Sequence, residues 1–124
     1  MNAAHADARE PMIRRTIPAD APAIGALVAD AFGQEAEARL VERLRAADRL
    51  ACELVAEEDG VIVGHVAFSP VRIEEDRGDG RWWGLAPLAV APARQKRGVG
   101  AALVRAGLEA AGRAGVTLVV VLGE

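Results

Sequence analysis

The sequence predicts an α/β (α+β) protein with a mixed, mostly antiparallel sheet flanked by helices, in the order β-α-α-β-β-β-α-β. Three observations carry this. Helical periodicity of apolar residues recurs after residue 20 and again after residue 35. Short runs rich in Val, Leu and Ala occupy 50–57, 61–68, 82–91 and 116–122, with turn residues at most of their ends. Gly and Pro punctuate the boundaries between the two kinds of segment.

The 124 residues suffice for one core. Apolar residues make up 52% and charged ones 27%, the balance of a soluble globular chain. The net charge of −3 offers nothing to nucleic acid or an anionic membrane surface. Cys52 is the sole cysteine, so neither an intrachain disulfide nor a multi-cysteine metal site is expected. The polar N-terminus has no apolar signal-peptide segment, and no run is long enough to span a bilayer. A cytoplasmic protein without a membrane or nucleic-acid partner is expected.

Residues 1–11 read as a flexible tail, and 12–124 as one domain. Residues 12–17 form a short strand stopped by Pro18. Asp20 is placed to cap a helix that tolerates Pro22 in its first turn, buries Ile24, Leu27, Val28, Ala31 and Phe32, and ends at Gly33. A second helix, 35–47, buries Leu40, Val41 and Leu44 and turns Glu35, Arg39, Glu42, Arg43 and Arg45 to water. Asp59 and Gly60 make a tight turn between strands 50–57 and 61–68. A charged loop, 74–81, precedes strand 82–91. There Pro87 removes a ladder donor and favours a bulge or splay. A helix over 98–114 presents Val99, Leu103, Ala106 and Ala110 to the sheet. Residues 116–122 form a last strand.

The stretch 88–101, LAVAPARQKRGVGA, carries the chemistry. Gly98 and Gly100 let a ligand approach the backbone, and the first amides of the helix lie unpaired at its positive end. These features suit phosphate or pyrophosphate, with Lys96 and Arg97 at the rim. A phosphate loop of the Walker type would need Lys-Ser/Thr after the glycines, and Val99-Gly100-Ala101 has none. A dinucleotide fingerprint would need glycine where Leu103 stands. An ordinary helix start whose glycines fit a tight turn stays open on the loop alone.

The segment Gln95-Lys96-Arg97-Gly98-Val99-Gly100 resembles the Q/R-x-x-G-x-G/A signature of the GNAT acetyltransferases. The order of elements is similar along 12–124. The runs 65–71 (HVAFSPV) and 84–90 (GLAPLAV) look like a YhbS-like subgroup of predicted acetyltransferases. The resemblance implies the acyl-CoA N-acyltransferase fold and transfer of acetyl from acetyl-CoA to a primary amine, on a small molecule or peptide, without a metal. It implies that amides from Lys96 to Ala101, Val99 among them and especially Arg97, Gly98, Gly100 and Ala101, hold the pyrophosphate. It also implies that main-chain groups of Leu88, Ala89 and Val90 pair with the pantetheine arm where two strands part, and that one of their amides serves as oxyanion donor.

The same resemblance marks what to look for. Family members commonly carry a tyrosine acid after the fifth strand and two further strands; this sequence has no tyrosine, and its domain reads as incomplete. The alternative function is therefore a remnant that binds coenzyme A or a partner without turnover. A nucleotide-binding module of another class has no base-recognition feature to support it. Glu53, Glu57 and Glu124 are candidate bases, with Glu124 the most suggestive by position. An exposed edge along 116–122 is expected to pair in a homodimer or to aggregate. His65 lacks metal-ligand spacing with His5 and reads as structural or surface. Ser69 has no histidine–acid pattern. One of Trp82 and Trp83 is expected in the core, the other against an acceptor pocket.

Overall fold

The computed structural model describes residues 11–71 and 81–121. Five strands form one sheet in sequence order: β1 (Met12–Arg15), β2 (Cys52–Glu58), β3 (Val61–Val71), β4 (Trp82–Val90) and β5 (Leu118–Val121). The first four are antiparallel neighbours and β5 runs parallel to β4. Helices α1 (Ala21–Phe32) and α2 (Ala36–Ala46) connect β1 to β2, and α3 (Val99–Arg113) is the crossover that a parallel β4–β5 pair requires. The predicted order holds element by element.

Two cores lie on opposite faces of the sheet. Ile24, Val28, Ala38 and Val41 of α1 and α2 cover Val55 and Ala89. On the other face Val99, Leu103, Ala110 and Ala111 of α3 cover Leu54, Ala56, Val66, Phe68 and Leu85. The strands therefore bury both faces, which is why their sequences read as continuous apolar runs.

Close approach of α3 depends on two glycines. A Cβ on Gly64 would lie 2.9 Å from both Leu103 Cδ1 and Val99 Cγ1, and one on Gly107 would lie 2.2 Å from Phe68 Cζ. Gly107 thus occupies the buried stripe, while the expected Ala106 is half-buried. In α2 the inward stripe is Ala38 and Val41; Leu40 is 39% exposed, because the helix rolls its smaller residues onto α1.

Asp20 does not cap α1 through its side chain. Its carboxylate instead accepts the Ile17 amide at 2.8 Å and both terminal nitrogens of Arg14 at 2.8 and 3.1 Å. Arg14 Nε also donates to Glu57 at 2.7 Å, so one guanidinium ties β1, β2 and the entry to α1. The Arg14 hydrogen bond, reinforced by the Ile17 amide, holds the Asp20 carboxyl below its usual range. Gly33 ends α1 at φ 72°, as expected, with its amide on Ala29 O at 2.8 Å. Asp59 and Gly60, at φ 51° and 81°, make the hairpin turn between β2 and β3. The tail 1–10, most of the 74–81 loop, and Leu122 with Glu124 lie outside the described residues.

Candidate functional site

The register of β4 against β3 breaks at one place. Opposite β3, Val66 pairs with Leu88 but Phe68 with Leu85, so β4 carries one extra residue around Ala86 and Pro87. This is the bulge that the missing donor of Pro87 favours. Beyond it, β4 continues along β3 to Val90, whereas β5 is paired with β4 only from Trp82↔Leu118 to Leu85↔Val121. Among the described residues, the outer edge of β4 from Ala86 to Val90 has no neighbouring strand.

Strand alternation settles which groups face that edge. The Ala91 amide donates to Val63 O at 2.8 Å, so Ala91 and, two residues back, Ala89 direct their main-chain groups at β3. Leu88 and Val90 direct theirs the other way. The three expected pantetheine contacts therefore divide: Leu88 and Val90 present amides to the open edge, and Ala89 is engaged in the sheet. Gln95 Nε2 donates to Val90 O at 3.0 Å, which takes up that carbonyl, and the Val90 amide and both Leu88 groups have no partner among the described residues.

The N-terminus of α3 sits beside the same edge. A Cβ on Gly100 would lie 3.6 Å from Val90 Cγ2 and 3.8 Å from Leu88 Cδ2, so the first turn of α3 rests on the side chains of these two residues. The loop turns at Lys96 and Gly98, with φ 67° and 89°. Ala102 makes the first helical hydrogen bond, to Gly98 O at 3.0 Å. The amides of Val99, Gly100 and Ala101 precede it and have no partner within the helix. A glycine N-cap supplies no side-chain oxygen to consume them. Lys96 and Arg97 are exposed at the rim. Arg94 Nε holds Glu58 Oε1 at 2.7 Å and moors the start of the loop to the β2–β3 hairpin. The structure thus sets Leu88 and Val90 of β4 beside the first turn of α3, whose leading amides have no partner within the helix.

The carboxylates behave differently from expectation. Glu57 is not free: it binds Arg14. Glu53, 9% exposed, accepts Arg45 Nη2 at 2.5 Å, His65 Nε2 at 2.8 Å and Thr16 Oγ1 at 3.2 Å. Arg45, expected to face water, is turned inward by this bond. Burial pushes the Glu53 carboxyl up, but the hydrogen bonds from His65 and Arg45 outweigh it and bring it down to about 2. Glu124 lies outside the described residues. His65 is neither exposed nor unpaired; it is fully buried at 0% exposure. Trp83 packs on Phe68 with ring centroids 5.7 Å apart, and Trp82 is half-buried. Among the described residues no cluster of His, Cys, Asp and Glu could hold a metal, and no helix is long and apolar enough to cross a membrane.

A carboxyl lowered by folding stabilises the protein above its unfolded value, and that contribution is lost as pH falls toward the folded value. The window for Glu53 therefore runs from about 4.3 down to about 2. Tm should fall steeply with acidification across it, and the Glu53→Gln variant should start lower and fall less. Calorimetry of both proteins checks this, and parallel curves would remove the ionised Glu53 from the account.

Comparison with known proteins places this geometry. The model of the family described as "Acetyltransferase (GNAT) family" matches residues 20–123. The uncharacterized N-acetyltransferase YhbS of Escherichia coli K12 is 43% identical over 114 residues, covering 91% of this chain and 67% of that protein. A GNAT family acetyltransferase from Brucella melitensis, solved in complex with acetyl-CoA, superposes with TM-score 0.84 at 42% identity, covering 92% of this chain and 76% of that one. Escherichia coli YhbS in complex with CoA gives TM-score 0.85 at 42% identity, covering 92% of this chain and 63% of that one. The chain spans about two thirds of the length of YhbS.

Proposed function

This chain belongs to the acetyltransferase (GNAT) family, and from that premise we propose that it moves an acetyl group from acetyl-CoA to a primary amine. The observation that carries the reading is the junction of bulged β4 with the head of α3. Leu88 and Val90 offer main-chain groups to an extended ligand there, and α3 aims its unpaired amides at the same end.

In this proposal the amides of Val99, Gly100 and Ala101, with Lys96 and Arg97 at the rim, hold the pyrophosphate. The Leu88 and Val90 edge aligns the pantetheine arm. One of these two amides serves as donor to the thioester oxygen as charge develops on it. Similarity to the Brucella and Escherichia structures, solved with acetyl-CoA and CoA, supports the choice of carrier. The alternative of carrier binding without turnover finds no support among these relatives, which are named acetyltransferases.

The test has two arms. Acetyl-CoA at about 100 times its Kd should stabilise the protein by about 2.7 kcal/mol. Free thiol should then appear with at least one member of a panel containing a polyamine, an aminoglycoside and an N-terminal peptide. Stabilisation without thiol release would favour the non-enzymatic alternative, and no stabilisation would remove the carrier site.

A further inference from the structure

We propose that His65 is the proton acceptor for the attacking amine, held in the working tautomer by Glu53; the proposal rests on the acetyl-transfer reading above. Three observations bring it out. His65 is fully buried, its Nε2 is bonded to Glu53, and its Nδ1 is a buried nitrogen with no hydrogen-bond partner among the described residues. Buried polar atoms are almost always satisfied, so an orphan of this kind calls for a water or a ligand group.

The tautomer follows from the partners. Glu53 Oε2 accepts from both Arg45 Nη2 and His65 Nε2, and an ionised carboxylate can only accept. Nε2 therefore carries the hydrogen, and in the neutral imidazole the lone pair is on Nδ1. A carboxylate on one ring nitrogen and a free lone pair on the other is how a general-base imidazole is held.

Position completes the case. His65 is directly opposite Ala89 on β4 and opposite Val55 on β2, so it lies on the sheet face covered by α1 and α2. Ala89 stands between Leu88 and Val90, whose main-chain groups face the candidate carrier crevice. Ala89, whose side chain is a methyl, is the β4 neighbour of the imidazole on that face. The charged groups around it are Glu53 of β2 and, through Glu53, Arg45 of α2, with Glu42 adding its field to Arg45. Thr16, after β1, adds a hydroxyl to Glu53; α1 presents apolar Ile24 and Val28 to this face, and β4 presents Ala89. Glu53 and Glu57 are committed to arginines and do not compete for the role.

The proton balance closes. The substrate ammonium gives one proton, through a bound water, to Nδ1. The freed nitrogen pair attacks the thioester carbonyl carbon and the C–S bond breaks. A second N–H proton leaves with the sulfur as coenzyme A thiol. The imidazolium, steadied by Glu53, returns its proton to solvent, so one proton is released per acetyl transferred.

His65→Gln is the informative variant, since its amide still donates to Glu53 but accepts no proton. With the panel amine that gives the fastest thiol release, kcat should fall about 100- to 1000-fold. The acid limb of kcat should flatten, while kcat/KM keeps the ionisation of the free amine. KM for acetyl-CoA and the acetyl-CoA thermal shift should stay within about 2-fold. A variant with the wild-type limb overturns the proposal and leaves acetyl transfer standing. A wild-type protein that is neither stabilised by acetyl-CoA nor releases thiol overturns both. Should His65→Gln fail to fold, nitrogen-15 NMR of the unmodified protein decides: it has only His5 and His65. A hydrogen on Nε2 of His65 supports the proposal, and one on Nδ1 overturns it.

Discussion

Gly107→Ala should lower the unfolding free energy by about 2 kcal/mol, and Gly107→Leu should prevent folding. Alanine in a helix interior gains about 1 kcal/mol over glycine. Here that gain is outweighed, because the new Cβ would lie 2.2 Å from Phe68 Cζ and 2.4 Å from Cε1. The ring has nowhere to go: Phe68 is fully buried and packs on Trp83 with the two rings tilted at 44°. Overpacking of this kind costs about 3 kcal/mol, so the net change is a loss. For a domain of this size it corresponds to a Tm lower by roughly 10 °C. The mechanism has its own control. Phe68→Leu alone leaves a cavity and destabilises, yet the pair Gly107→Ala with Phe68→Leu should be more stable than the sum of the two changes. Denaturant melts of the four proteins measure the coupling. Strict additivity would show that the ring and the helix do not compete for space.

Phe68 also shows what the sequence makes legible and what it hides. That α3 lies close to the sheet follows from its small residues, and that 82–91 bulges follows from Pro87; both are local signals. Which small residue meets the ring depends on the rotation of α3 over β3, a tertiary fact. Gly107 therefore passes unnoticed until the two elements are seen together. The GxG loop is legible for the same reason as the bulge: the chemistry of an anion site lies in consecutive residues.

The Glu53–His65 pair is illegible for a more specific reason. A two-residue turn at Asp59 and Gly60 pairs Glu58 with Val61, and continuing that register would set His65 opposite Leu54, on the α3 face. The hairpin instead shifts by one residue between Ala56 and Glu57, so that Val55 faces His65 and Glu53 faces Ala67. One extra residue on β3 moves the imidazole to the α1–α2 face, where Glu53 and Arg45 await it. Gly64, beside the extra residue, is a weaker signal than Pro87, since a glycine within a strand marks either a bulge or a close approach and here also makes room for α3. Arg45, patterned as a surface charge, is turned inward by Glu53, which shares that face with Val55.

Gly100→Val should raise the Kd for acetyl-CoA about 100-fold, with Gly100→Ala intermediate, while neither change lowers Tm of the free protein by more than a few degrees. The asymmetry is the point. At Gly100 the protein itself leaves room for a Cβ, whose nearest neighbours would be side-chain carbons of Val90 and Leu88 at 3.6 and 3.8 Å, ordinary contact. Packing therefore gives no reason for glycine, and backbone conformation gives none either, since Gly100 lies within α3. What a side chain would occupy is the approach to the amides of Val99, Gly100 and Ala101. Each charge-assisted bond from such an amide to a phosphate oxygen contributes about 1.5–3 kcal/mol, so losing one or two accounts for the expected factor. Gly98 supplies the contrast. It sits at φ 89° with nothing within 4 Å of a built Cβ, so any branched residue there strains the backbone and misdirects the loop even in open space. Gly98→Asn, which tolerates that conformation, should keep most of the affinity, and Gly98→Val should lose both affinity and stability. Titration calorimetry with acetyl-CoA separates the cases: equal affinities across the Gly100 series would move the diphosphate away from the head of α3.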